Sequence, residues 1–82
     1  MNSNVVTRLV GDEMILLDSV SGNYFSLNAV AARIWEMGQA GLSRITICES
    51  IVSEFDVEPS TAALDLGELE SKLRSLGLSL FG

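Results

Sequence analysis

Asn23-Tyr24-Phe25-Ser26-Leu27-Asn28-Ala29-Val30-Ala31-Ala32-Arg33-Ile34-Trp35 is the stretch on which the fold turns. Up to Leu27 the residues alternate, so a strand sends Phe25 and Leu27 to one face and Tyr24 and Ser26 to the other. Beyond Leu27 the apolar period lengthens from two to about 3.6, the mark of an amphipathic helix. Asn28 stands at the junction as an N-cap, its side-chain oxygen suited to accept from an orphan amide of the first turn. The segment Ala29–Met37 places Val30, Ala31, Ile34 and Trp35 on one face, and Gly38 and Gly41 mark the exit.

Working outward towards the amino terminus, Val5–Val10 has β-branched character, Gly11-Asp12-Glu13 reads as a turn, and Met14–Leu17 is a strongly apolar second strand. Ser19-Val20-Ser21-Gly22 carries the next turn. Three strands on short turns predict an antiparallel meander. Towards the carboxyl terminus, Ser43 caps a second helix with the stripe Ile47, Cys48, Ile51, Val52 and Phe55. After the link Asp56-Val57-Glu58, Pro59 fits the first turn of a third helix, where its missing N–H is harmless. Ala62, Leu66, Leu69, Leu73 and Leu76 recur there at spacings of four and three, and Gly77 ends the run before the apolar tail Leu78–Phe81. Three helices covering the apolar face of a three-stranded antiparallel sheet make an α+β, winged helix-turn-helix-like domain. It is expected to take in residues 1–82, since a chain of this length supports one modest core.

Composition removes several classes of function. There is no histidine, so the commonest general base and metal ligand is missing, and with one cysteine a structural zinc site is excluded. Cys48 lies between Ile47 and Ile51 on an apolar stripe, which favours packing over nucleophilic chemistry. Glu68 and Glu70 are two apart on a helix and point to different sides. Gly38 and Gly41 do not form a phosphate loop. Neither a catalytic residue nor a metal site is expected, and the chain is read as a non-enzyme. The net charge is −6, with eleven scattered acids against five basic residues. Nucleic-acid affinity draws on counterion release by clustered Lys and Arg, and five dispersed cations cannot supply it. Met1–Asn4 is polar and no run of about 18 apolar residues occurs, so neither a signal peptide nor a membrane partner is expected, and the setting is read as cytoplasmic.

Binding is left, and two features bear on it. Trp35 follows Ile34 on an amphipathic face and reads as core, whereas Tyr24 is either an exposed aromatic or an ordinary cross-strand neighbour. The last strand of a meander has an unpaired edge, and Asn23–Leu27 carries neither the charge nor the proline that usually blunts one. Such an edge is either a docking surface for an added strand or is covered by the tail Leu78–Phe81 or by a second copy.

These residues resemble a known family. Leu16-Leu17-Asp18, Ser21 to Asn28 and Ala32-Arg33-Ile34-Trp35-Glu36 are similar to the front half of PqqD-like proteins, with their leucine-rich strand, Ser/Thr-Gly turn, aromatic strand ending in Leu-Asn, and Ile-Trp helix. Asp65-Leu66, Leu69, Leu73 and Gly77-Leu78 fall at the spacing of that family's third helix; Glu70 departs from it, standing where a second apolar residue is common. The resemblance runs from about Val5 to Leu80 and implies a RiPP recognition element, which binds the leader segment of a ribosomally made precursor peptide as an extra strand against the third helix. Carried over, it implies leader contacts at Tyr24, Phe25, Ser26, Leu27, Asp65, Leu66, Leu69, Lys72, Leu73 and Leu76, with no cofactor. Gly22-Asn23-Tyr24 and Ile34-Trp35 look most like the discrete recognition proteins of lasso-peptide biosynthesis. Those are peptide chaperones whose partners are a leader peptidase and a cyclase, and a monomer or weak homodimer is expected. Presentation to a radical-SAM enzyme is the alternative, and a winged-helix DNA-associated adaptor a more distant one.

Overall fold

A computed structural model describes residues 4–81; Met1–Ser3 and Gly82, expected in the same domain, lie outside the described residues. The element order is β1 (Val5–Val10), β2 (Glu13–Asp18), β3 (Tyr24–Leu27), α1 (Ala29–Gln39), α2 (Arg44–Phe55) and α3 (Pro59–Ser75). The strands form one antiparallel sheet in the order β1-β2-β3, as the meander requires. Strand β2 is one residue longer at each end than its apolar run, because Glu13 pairs with Val10 and Asp18 with Val5.

Asp18 sets the register of the β2–β3 hairpin. Its carboxylate accepts from the Val20 N–H at 3.0 Å and the Ser21 hydroxyl at 3.0 Å, while its own N–H donates to the Asn23 carbonyl at 2.9 Å. This closes the turn so that Leu16 faces Phe25 and Met14 faces Leu27. Met14, Leu16 and Leu27 are buried in one core with Ile34, Trp35, Met37, Ile47, Ile51, Leu66, Leu69 and Leu73. A slip of one residue would turn that entire set to solvent, so burial holds the register.

All three helices contribute to the core that covers the sheet, at different distances from it. Only α1 brings its Cα atoms within 8 Å of the strands; α2 and α3 pack on α1 and on each other. Asn28 caps α1 as its chemistry predicts, Oδ1 accepting from the Ala31 N–H at 2.9 Å. Ser43 does the same for α2, accepting from the Thr46 N–H at 3.2 Å. Pro59 opens α3 within its first turn. Two ion pairs join the helices at their surface, Arg33 with Glu54 between α1 and α2, and Arg44 with Glu70 between α2 and α3. In each pair the carboxylate's hydrogen bond raises the pKa of the guanidinium. Glu70, the departure from the family pattern, therefore has a partner in Arg44.

Gly38 lies in the last turn of α1, where the reason for a glycine is tertiary. The tail folds back so that the buried Leu80 sits against the helix backbone, and a Cβ on Gly38 would meet Leu80 Cδ1 and the Leu80 carbonyl oxygen at 2.6 Å each. Gln39 Nε2 fixes the same contact by donating to the Leu80 carbonyl at 2.8 Å. The helix ends at Gln39, and the φ of 88° at Gly41 beyond the cap lets its own N–H and that of Leu42 return to the carbonyls of Gly38 and Met37.

Gly38→Ala should consequently destabilise the domain. Helix propensity favours the alanine by up to about 1 kcal/mol, but displacing the tail backbone costs about 1–3 kcal/mol. Urea denaturation reads the balance, and a raised midpoint would mean that the tail yields without cost.

Candidate peptide-binding site

The face set by Leu16 and Leu27 decides where β3 points its remaining groups. Phe25 is partly buried against the core, whereas Tyr24 is 70% exposed and pairs with Leu17 on the opposite face. Trp35 is core, and Cys48 is a free, partly buried thiol packed against it. Among the described residues, β3 pairs with β2 alone, so its other edge has no ladder partner. In an antiparallel pair alternate residues turn N–H and C=O away from the neighbour, so a four-residue strand directs about four main-chain groups outward. The tail does not cover this edge, since Leu80 is seated on α1.

Opposite the edge stands α3, and no Cα of α3 comes within 8 Å of one in β3. The gap is a groove of about 250 Å³ lined by Glu13, Ser26, Leu27, Asn28, Ala31, Asp65, Glu68, Leu69 and Lys72. It falls below the roughly 300–1,000 Å³ of small-molecule pockets, and it suits side chains of an extended segment better than a compact ligand. Leu27, Ala31 and Leu69 give it an apolar floor, while three carboxylates and the Lys72 ammonium form its rim.

Of the residues expected to touch a peptide, the structure brings Ser26, Leu27, Asp65, Leu69 and Lys72 together in this groove. Tyr24 and Phe25 lie farther along the same strand. Leu66 and Leu73 turn into the core and support the groove from behind, and Leu76 is the half-buried C-cap of α3, outside the lining. Glu13, Asn28, Ala31 and Glu68 were missed by sequence reasoning. Asn28 and Ala31 were legible only as helix cap and helix face, and Glu13 as a turn residue. Glu68 carried the one available signal, lying three residues after Asp65 on one side of α3.

No group of three His, Cys, Asp or Glu is placed to hold a metal among the described residues. None of their helices is long and apolar enough to cross a membrane.

The family model described as coenzyme PQQ synthesis protein D (PqqD) matches residues 13–78. This chain belongs to the PqqD family. The matched region takes in β2, β3 and all three helices, and so both walls of the groove. Two solved structures share the PqqD-type fold closely. One, TbiB1 in complex with the TbiA(beta) leader peptide, is 33% identical, covers 93% of this chain and 88% of its own, and has a TM-score of 0.80. The other, lasso peptide synthetase B1 complexed with the leader peptide, is 31% identical over 92% of this chain and 88% of its own, with a TM-score of 0.81. No curated protein matches the chain.

An open edge has a measurable signature in this PqqD-family chain. Two alternating amides of Tyr24–Leu27 should exchange with solvent rapidly while the two bonded to β2 are protected. Uniform protection of all four in hydrogen exchange would mean that the edge is already occupied.

Proposed function

We propose that this protein is a RiPP recognition element: a non-catalytic module that binds the leader segment of a ribosomally made precursor peptide as a fourth strand along β3, against α3. The observation that carries this is the uncharged, unpaired edge of β3 facing α3 across a groove of peptide dimensions. Support comes from two structures of the same fold that are complexes with leader peptides. The leader's main chain bonds to the free groups of Tyr24–Leu27, and an apolar side chain enters between Ser26, Leu27, Ala31 and Leu69, with Asp65, Glu68 and Lys72 reading its neighbours. Leu66 and Leu73 hold the wall of the groove in place.

The energetics fit this division of labour. About four main-chain hydrogen bonds at roughly 0.5–1.5 kcal/mol net give a few kcal/mol. Burying one or two side chains adds about 1.5–3 kcal/mol each, and ordering a disordered leader offsets part of the sum. Micromolar affinity or better, about −8 kcal/mol or below, therefore needs the apolar anchor as well as the strand. Strand addition gives affinity without demanding a particular sequence, and the groove gives the selectivity.

The bound leader is presented to a leader peptidase and, with it, to a cyclase of a lasso-peptide pathway. The protein performs no chemistry in this scheme and needs no cofactor. It works in the cytoplasm, where the precursor is made.

The cognate leader peptide, titrated by fluorescence anisotropy, tests the binding mode. N-methylation of successive leader amides should weaken binding about three- to tenfold at alternate positions only, as the loss of single hydrogen bonds predicts. Ser26→Pro should weaken it sharply as well. A flat N-methyl scan would rule out strand addition.

A further inference from the structure

The α3 wall of the groove is anchored at a place that the groove itself does not include. No Cα of α3 comes within 8 Å of a strand, so its distance from β3 is set by its packing on α1 and α2 and by the tail. At the end of α3 the chain reverses in a Schellman motif. Gly77, at a φ of 74°, donates its N–H to the Arg74 carbonyl at 3.0 Å, and the Leu78 N–H returns to the Leu73 carbonyl at 2.8 Å. Leu78 then packs against the core, and Leu80 is buried on α1. The tail thus runs from the last turn of α3 to the last turn of α1.

Leu80 is seated there by its backbone as well as by its side chain. A Cβ on Gly38 would meet the Leu80 Cγ at 2.7 Å and its carbonyl oxygen at 2.6 Å. Gln39 Nε2 donates to that carbonyl at 2.8 Å and reaches the Ser79 carbonyl at 3.4 Å. A tail that only added apolar burial would need neither a glycine in the helix, which weakens it, nor a hydrogen bond to its main chain. Both ends of this tie adjoin the groove. Lys72, in the last turn of α3, lines the groove beside Leu73, whose carbonyl holds Leu78. Ala31 lines it from α1, seven residues before Gly38 and so on the same side of that helix.

We infer that Leu80, seated on Gly38 and Gln39, is a positioning residue for the leader groove: by tying the end of α3 to α1 it fixes how far the α3 wall stands from β3, and with it the size of apolar leader side chain that the groove accepts. This rests on the leader-binding reading, since Leu80 lies outside the groove lining and acts only through α3. Main-chain bonds along β3 supply affinity without telling one side chain from another. Selection then falls to the width of a gap of only about 250 Å³. A wall held in place before the peptide arrives also spares the ordering cost that a loose wall imposes on binding. Without the tail, α3 is free to shift on α1 and α2, and the groove loses affinity and size selection together.

A double-mutant cycle between the whole protein and the cognate leader, read by fluorescence anisotropy, tests this. Leu80→Ala removes the seated side chain. Gln39→Ala, at an exposed position, removes the hydrogen bond to the tail and keeps the test open should the first variant fail to fold, which circular dichroism melts report. The leader is used as it stands and with its apolar anchor, found by alanine scanning, replaced by alanine. Leu80→Ala should weaken the unaltered leader about tenfold but the alanine-anchor leader less than about threefold, because only the former needs a wall at a set distance. Gln39→Ala should weaken the unaltered leader about threefold, as the loss of one hydrogen bond predicts, and spare the other. Equal losses with both leaders would mean general loosening of the domain and would overturn the proposal, as would unchanged affinity in the folded variants. Methyl NMR without leader should show the Leu69 and Ala31 resonances displaced in the variants, and unmoved resonances would also count against it. Failure of the unsubstituted protein to bind leader would overturn the leader-binding reading instead, and the leader-free spectra would still report whether the tail sets the wall.

Discussion

Met14, Leu16 and Leu27 enter one core with Ile34, Ile47 and Leu73, and the rest of the molecule depends on that burial. Side chains alternate along a strand, so burying these three fixes the facing of every other residue in β2 and β3. Tyr24 and Ser26 must then point outward, and Ile15 and Leu17 must share their face. Asp18 supports the choice locally by closing the hairpin in the matching register. Two independent constraints, one of turn chemistry and one of burial, agree, which is what a single well-defined sheet requires.

The groove exists because α1 lies closer to the sheet than α3 does. Strand β3 passes through Asn28 directly into α1, which lies on the strands, while α3 packs on α1 and α2 and stands clear of β3. The apolar stripe of α3 is consumed by the core through Ala62, Leu66, Leu69 and Leu73. What α3 offers to the groove is the margin of that stripe: Leu69 at the floor, with Asp65, Glu68 and Lys72 above it. Arg44 and Glu70 tie its far side to α2, and the tail is drawn away to Gly38 on α1. Among the described residues, the edge of β3 is therefore left without an internal partner.

The molecule consequently carries two surfaces meeting at one strand. On one side of β3 lies a groove with a polar rim, and on the other an apolar face extended by β1. The groove is flanked by elements whose positions are set by burial in the common core. A recognition surface of this type needs little motion of the domain, so the ordering cost falls on the peptide.

Sequence by itself determined the element order, the caps at Asn28 and Ser43, the place of Pro59, the core role of Trp35 and the absence of histidine chemistry. These are local or compositional matters, settled by side-chain oxygens near free amides, by periodicity and by residue counts. It also carried the family likeness, because Ser21–Asn28 and the Asp65–Leu78 spacings lie in order along the chain. Which leucines of α3 line a groove and which support it was not legible, since Leu66, Leu69 and Leu73 share one stripe and only the packing of α1 and α2 separates them. Nor was the apolar outer face, because Met14–Leu17 is hydrophobic at every position and alternation gives no sign of its sides. Gly38 reads as part of the helix exit, but only Leu80, distant in sequence, explains why that position lacks a side chain. Contacts between residues far apart in the chain decided these points, and no local pattern encodes them.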